Sequence, residues 1–220
     1  MLPEIVKLHE LIDIVITILD ARDPYTQEHS FRVAEYSELI SENMGSDTDT
    51  HQRVHIAAHL HDIGKVGVSD YILNKPGKLA KEEMKEMQSH SRIGYNILKR
   101  IPMFQEISRI VLHHHERFDG GGYPKGLSGE AIPFESRIIA VADAFDAMTS
   151  DRPYRKGMPA EDAADEISRH SGAQFCPSVV SHFSNMPQFS HSNALRTFHE
   201  NALFSSVGHE YLMHSEMVHN

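Results

Sequence analysis

Between residues 5 and 171 apolar positions recur at three- and four-residue spacing, and no strand-like alternation of useful length interrupts them. A first helix is expected over Ile5 to Leu19, with Ile5, Leu8, Ile12, Val15 and Leu19 on one stripe and Leu11, Ile14 and Ile18 widening it. Such a face packs on its own domain, meets a second copy, or connects to a further domain. A second helix should run from Pro24 to Met44 and stop at Gly45, with His29, Val33, Tyr36 and Ile40 inward. A third covers Asp49 to Gly64, carrying Val54, Ala57, Ala58 and Leu60. The segment from Val66 to Leu79 holds Asn74-Lys75-Pro76-Gly77 and reads as a loop.

A fourth helix is expected over Lys81 to Arg100, aligning Met87, His90, Gly94, Ile97 and Ile101. A fifth, from Phe104 to Glu116, aligns Ile107, Ile110, Val111 and His114. A sixth, from Phe134 to Thr149, brings Ile139, Asp143 and Asp146 together, and a seventh runs from Ala160 to Ser171 before Gly172. The pattern predicts an all-α fold, a compact helical bundle of about seven core helices. From Ser184 the apolar period weakens and Ser, Asn and His dominate. A polar, His-rich, loosely held C-terminal extension over 184–220 is expected, in which Leu195 to Phe204 could form one helix.

The 220 residues suit one medium domain, and 40% hydrophobic content supplies a core. A formal net charge of −10 argues against a DNA or RNA polymer or an anionic membrane surface as partner. An acidic chain that binds an anionic ligand must concentrate positive charge locally. Cys176 is the single cysteine, so no internal disulfide forms, which fits a cytoplasmic location. The most apolar stretch, Ile5 to Leu19, is interrupted by Lys7, His9, Glu10 and Asp13, so neither a membrane span nor a signal peptide is expected there.

The 17 histidines change the picture most. His29, the pair His61-Asp62, His90 and Asp143 sit on or beside the apolar faces of four different helices, and a fifth helix ends in His113-His114-His115. One histidine facing a core is usually a satisfied core residue. Several converging ones need a shared partner, because burying their polar rings is otherwise unfavourable. A metal centre supplies it, and imidazole with carboxylate but no thiolate excludes a structural zinc finger. A carboxylate such as Asp62 can bridge two cations about 3.5–4 Å apart, and Lys65, a turn later, can meet transition-state charge.

Other histidines invite the same reading less strongly. His51, His55 and His59 form a four-residue ladder on a different side of the helix from His61, and His51 and His55 are expected in solvent. His113 points away from the His114 face. The tail residues His191, His199, His209, His214 and His219 lack ligand spacing. Gly120 to Gly122 lacks the lysine and hydroxyl of a phosphate loop and is expected as a rigid pocket-lining turn.

The segment His61-Asp62-Ile63-Gly64-Lys65 resembles the HDIGK signature of the HD phosphohydrolase superfamily. His114-His115-Glu116-Arg117-Phe118-Asp119-Gly120-Gly121-Gly122-Tyr123-Pro124 resembles the HHExxDGxGYP signature of its HD-GYP branch. Ala21 to Thr26 with His29-Ser30, and Val141 to Tyr154, resemble the flanking motifs, so the likeness runs from Asp20 to Phe183. It implies an HD-GYP catalytic domain over 21–183, preceded by a connector or dimerisation helix over 1–20.

The resemblance also implies a metal-dependent phosphodiesterase that hydrolyses cyclic di-GMP to pGpG or GMP by attack of a metal-bridging hydroxide. His29, His61, Asp62 and Asp143 would hold one divalent ion, and Asp62, His90, His114 and His115 the other. Iron or manganese comes first, with zinc, nickel or cobalt as alternatives. Asp62 and Lys65 would be the catalytic groups. Arg152, Arg155, Tyr123, Pro124 and Asp146 would contact substrate. Rival readings are hydrolysis of cyclic GMP-AMP or another nucleotide, and a non-catalytic sensor docking a signalling partner. The retention of all seven ligands and Lys65 favours an enzyme.

Three positions depart from the family pattern. Tyr25 replaces a glutamate that holds a third metal in some members, so two metals are expected. His59 stands where an apolar residue is usual, either as a tolerated substitution or as support for the centre. Cys176 replaces the aspartate of Phe-Asp-Pro, with no loss of function attached to it.

Overall fold

The structure is a computed structural model, and it describes residues 4–22, 28–151, 156–186 and 189. Among the described residues it is all-α, with one isolated bridge between Ser171 and Phe175. The helices are α1 (Glu4–Arg22), α2 (His29–Asn43), α3 (Thr48–Leu60), α4 (Asp70–Leu73), α5 (Lys81–Gln88), α6 (His90–Leu98), α7 (Gln105–His113), α8 (Phe134–Thr149), α9 (Ala160–Arg169) and α10 (Pro177–Ser184). A 3₁₀ segment, Ile63–Gly67, follows α3. No helix among the described residues is long and apolar enough to cross a membrane.

Helices α2 and α3 lie along each other, α8 packs across α2, and α6 pairs with α7. Small buried residues, Ala57, Ala58 and Ala142, let these helices approach, while Val33, Ile40, Val54, Val111 and Ile139 fill the space between them. Farther along, Tyr36, Phe145, Phe183 and Phe189 form an aromatic plug, with Phe183 stacked on Phe189 at 4.6 Å. Burying each such ring contributes roughly 1.5–3 kcal/mol. Core packing therefore continues past Phe183 to Met186 and Phe189, both buried.

Several expectations change in detail. The helix expected from Lys81 to Arg100 is two helices separated at Ser89, whose hydroxyl donates to the Glu86 carbonyl at 2.6 Å and competes with the helical ladder. Helix α5 buries none of its side chains, whereas α6 enters the core. The third helix ends at Leu60 rather than Gly64, and the chain tightens into the 3₁₀ segment. The expected loop after it contains α4. Helix α10 was not anticipated: its eight residues are too few to show a period, though Pro177 occupies the favoured start position.

On α1, Ile12 and Ile16 are buried, whereas Leu11, Ile14 and Ile18 are exposed. The second helix is described only from His29. Tyr25, Arg152, Arg155, the tail histidines and the segment from Leu195 to Phe204 lie outside the described residues.

Candidate metal centre

The fold delivers all but one of the candidate His and Asp side chains from helix ends or the turns that follow them. His29 opens α2, His61 follows the last turn of α3 and His90 opens α6. His114 and His115 follow α7, and Asp143 lies within α8. Asp62 leaves helical geometry at φ −96°, ψ 5°. Gly64 makes this convergence possible: a Cβ there would fall 1.8 Å from the His90 carbonyl oxygen and 2.5 Å from the Gly94 nitrogen. Two backbones meet at that point, so the Asp62 turn sits directly against the start of α6.

The rings are oriented by backbone carbonyls. His61 Nδ1 meets the Ala58 carbonyl at 2.6 Å, His90 Nδ1 the Met87 carbonyl at 2.7 Å, and His114 Nδ1 the Val111 carbonyl at 2.6 Å. A carbonyl only accepts, so each Nδ1 carries a proton and Nε2 is the ring atom aimed inward. His29 Nδ1 is held by Asp146 Oδ2 at 2.7 Å, and Arg32 fixes that carboxylate from behind with its Nε 2.5 Å from Oδ1. Outer partners of this kind are the usual support of metal-binding imidazoles.

Two triads result: His29, His61 and Asp143, and His90, His114 and His115, each with donor atoms within 4.8 Å of one another. Asp62 stands between them. Its Oδ2 lies 3.3 Å from His61 Nε2 and 3.7 Å from His29 Nε2, while its Oδ1 lies 3.4 Å from His90 Nε2. Across the second triad His90 Nε2 and His114 Nε2 are 3.3 Å apart, and across the first His29 Nε2 and Asp143 Oδ1 are 3.4 Å apart. His61 Nε2 is buried with no hydrogen-bond partner. Inward Nε2 atoms, an orphaned buried nitrogen and a carboxylate with one oxygen towards each triad fit a pair of cations.

Electrostatics differ across the centre. Burial pushes the His114 and His115 imidazoles well below the usual range, and neighbouring rings add to it. His90 is also lowered, chiefly by burial. Burial opposes charge on His61 too, but the Asp62 and Asp143 carboxylates outweigh it and push its pKa up to about 9. Burial would raise Asp62, yet Lys65, His61 and His90 hold it well below the carboxylate range. Lys65 Nζ lies 2.8 Å from Asp62 Oδ2.

The glycine-rich segment after His115 folds back on its own stem. A Cβ at Gly122 would fall 2.2 Å from the Arg117 nitrogen, and the Tyr123 N–H donates to the His115 carbonyl at 3.2 Å. Buried Glu116 accepts from the Lys125 and Leu127 N–H groups at 2.8 and 3.0 Å. This sets the Tyr123 ring 4.9 Å from that of His115, with half-buried Pro124 beside it. A cavity of about 390 Å³ adjoins His115 and Asp143, with Glu166, His170 and Gln174 on its farther wall.

The structure thus brings together His29, His61, Asp62, Lys65, His90, His114, His115, Asp143 and Tyr123. Asp146, expected against substrate, lies instead behind His29, with its oxygens engaged by His29, Arg32 and Ser150. His113 faces Glu116 at 3.2 Å, away from both triads. His51 and His55, expected in solvent, are half-buried beside Glu38, and His59 is buried. Arg32, Glu116 and Arg22 had no assigned role in the sequence. Arg22 donates to the Lys65, Val66 and Val68 carbonyls and to Asp70, fixing the turn after Lys65. Glu116 and Arg22 stood inside the quoted motifs, which was the available signal, whereas the partner of Arg32 was not visible.

The sequence profile of the HD domain matches residues 13–179. The chain belongs to the HD-domain family. Among relatives of this HD-domain chain, a cyclic di-GMP phosphodiesterase of Thermotoga maritima is 45% identical over 178 residues, covering 80% of this chain and 48% of that protein. A 3′3′-cGAMP-specific phosphodiesterase of Vibrio cholerae is 46% identical over 149 residues, covering 66% of this chain and 32% of that protein. The chain thus spans half or less of the length of these relatives. The crystal structure of a cyclic GMP-AMP specific phosphodiesterase of Vibrio cholerae, V-cGAP3, shares the HD-domain fold with a TM-score of 0.64 at 22% identity. The match covers 82% of this chain and 49% of that one. HD-domain phosphodiesterases are metal-dependent, and the two triads are groups that could hold metal.

Proposed function

We propose that this HD-domain chain hydrolyses a cyclic dinucleotide, cyclic di-GMP first, to pGpG or GMP with the help of two divalent transition-metal ions. The observation that carries the reading is the Asp62 carboxylate, which turns one oxygen to each of two histidine-rich triads. His29, His61, Asp62 and Asp143 would hold one ion and Asp62, His90, His114 and His115 the other. Iron or manganese suits these ligands best, with zinc, nickel or cobalt next. Such an ion pair supplies Lewis acidity towards a phosphodiester and makes water a stronger acid.

The chain's own groups do the rest. Lys65, beside Asp62, sets a positive charge against the reacting phosphate. Tyr123, its ring against His115, stays in its neutral form, because burial and the Asp143 and Asp62 charges raise its pKa. Arg152 and Arg155 would grip the second phosphate, as planar guanidinium groups suit phosphate oxygens. Asp146 positions His29 rather than touching substrate. Residues 21–183 form the catalytic unit, with Met186 and Phe189 packed onto its core, and α1 serves as connector or dimerisation helix through exposed Leu11, Ile14 and Ile18. A cytoplasmic setting, where cyclic dinucleotides act as messengers, agrees with the single cysteine.

Turnover of cyclic di-GMP and 3′3′-cGAMP by protein purified anaerobically, with metal counted in the same sample, tests this. Faster hydrolysis of cyclic di-GMP with both triads loaded is expected. Faster hydrolysis of cyclic GMP-AMP would transfer the reading to that substrate. A fully loaded protein that binds but hydrolyses neither would be a sensor.

A further inference from the structure

Away from the two triads, α2 and α3 carry a second group of metal-type donors. Glu38 projects from α2, and His55 and His59 lie one helical turn apart on α3, so both rings leave the same face. Their donor atoms lie within 4.8 Å of one another. His55 Nδ1 contacts Glu38 Oε1 directly. The His55 and His59 rings meet edge to face at 4.7 Å, and Phe31 packs on His59 at 5.3 Å. His51, one turn earlier, places its Nε2 4.0 Å from Glu38 Oε2.

An ordinary Glu–His ion pair would account for Glu38 and His55 alone. It does not account for a buried second imidazole gathered to the same carboxylate, nor for a third one a turn away. Two imidazoles and a carboxylate are a recurrent zinc donor set, completed by a fourth ligand or water.

We propose that Glu38, His55 and His59 form a separate site for a zinc-type divalent cation, which clamps α2 to α3. The clamp joins the helix that opens with His29 to the helix that runs into His61 and Asp62. It would therefore fix the spacing of two of the three elements that carry one triad while standing outside that triad. Nothing in this inference depends on the substrate or on the reaction.

Equilibrium dialysis of the full chain against Zn²⁺ tests it, comparing wild type with Glu38→Gln and His55→Ala, and with circular dichroism confirming the fold of each. Each variant should bind one zinc equivalent fewer than wild type. Equal stoichiometry in wild type and either folded variant overturns the site. If neither variant folds, anomalous diffraction at the zinc edge from wild-type crystals decides. A peak between Glu38, His55 and His59 supports the proposal, and peaks confined to the two triads around Asp62 overturn it.

Discussion

The two triads flanking Asp62 look alike in donor number but differ in charge. His90, His114 and His115 are all imidazoles, with proton affinity lowered by burial and, for His114 and His115, further by other rings. They are neutral near pH 7 and offer lone pairs without exchange of a proton. The other triad includes Asp143 and stands against Asp146, and its His61 retains a proton up to about pH 9 in the absence of a cation. One half is a preset neutral cage, and the other holds a positive charge where a cation would sit. The difference makes Asp62 unequal in its two duties, since it is the sole anionic ligand proposed for the all-histidine half.

Removing Asp62 should break the comparison most completely. Asp62→Ala is expected to take turnover to background, a larger loss than the roughly 10–100-fold typical of outer partners. Metal analysis should find both ions reduced, the all-histidine side more so. Near-normal activity with two ions retained would end the bridged-pair reading.

A narrower change separates the halves. His90→Ala should release about one metal equivalent and leave the His29–His61–Asp143 side loaded, as counted by elemental analysis. Loss of both ions would show that the halves fill only together.

Smaller again is the effect of loosening an orienting partner. Asp146→Asn weakens the hold on His29 and should lower metal affinity on that side by roughly 10–100-fold, leaving the all-histidine side unchanged. Competition with a chromophoric chelator reads this, and an equal fall on both sides would contradict the division.

The mildest perturbation lies outside both triads. Arg152→Ala should raise KM for the cyclic dinucleotide by about tenfold, in line with the loss of one charged hydrogen-bonded contact, and Arg155→Ala by less. Metal content should stay unchanged, and the small ester bis-p-nitrophenyl phosphate should be little affected. Equal losses on both esters would place Arg152 at the reacting phosphate or in the fold.

The convergence was legible because His29, His61, His90, His114 and Asp143 sit on or beside apolar faces, while the assignment of His115 and Asp62 as ligands came from the family resemblance. Helix α8 was legible to its ends for the related reason that sixteen residues of uninterrupted period leave no ambiguity. Most of what stayed hidden depends on contacts distant in the chain. Arg32 and Asp146 are 114 residues apart, and neither side chain signals the other. The break at Ser89 arises from one local hydroxyl bond inside an otherwise continuous helical pattern. His51, His55 and His59 showed their ladder, but the carboxylate that draws His55 inward sits 17 residues upstream on another helix. Phe189 closes the aromatic plug from a segment whose composition had already turned polar.

Gly64 carries a lesson for reading tolerance to substitution. It has no side chain and belongs to neither triad, yet any side chain there would drive the Asp62 turn away from α6. In a library that randomises every codon, Gly64 would fall silent alongside the ligands, and a ranking by fitness alone would credit it with chemistry. The opposite error awaits at Lys65, where arginine would keep the charge and score well while moving it away from Asp62. Intolerance marks where atoms have no room as faithfully as where they react, and separating the two here requires counting ions in the failed variants.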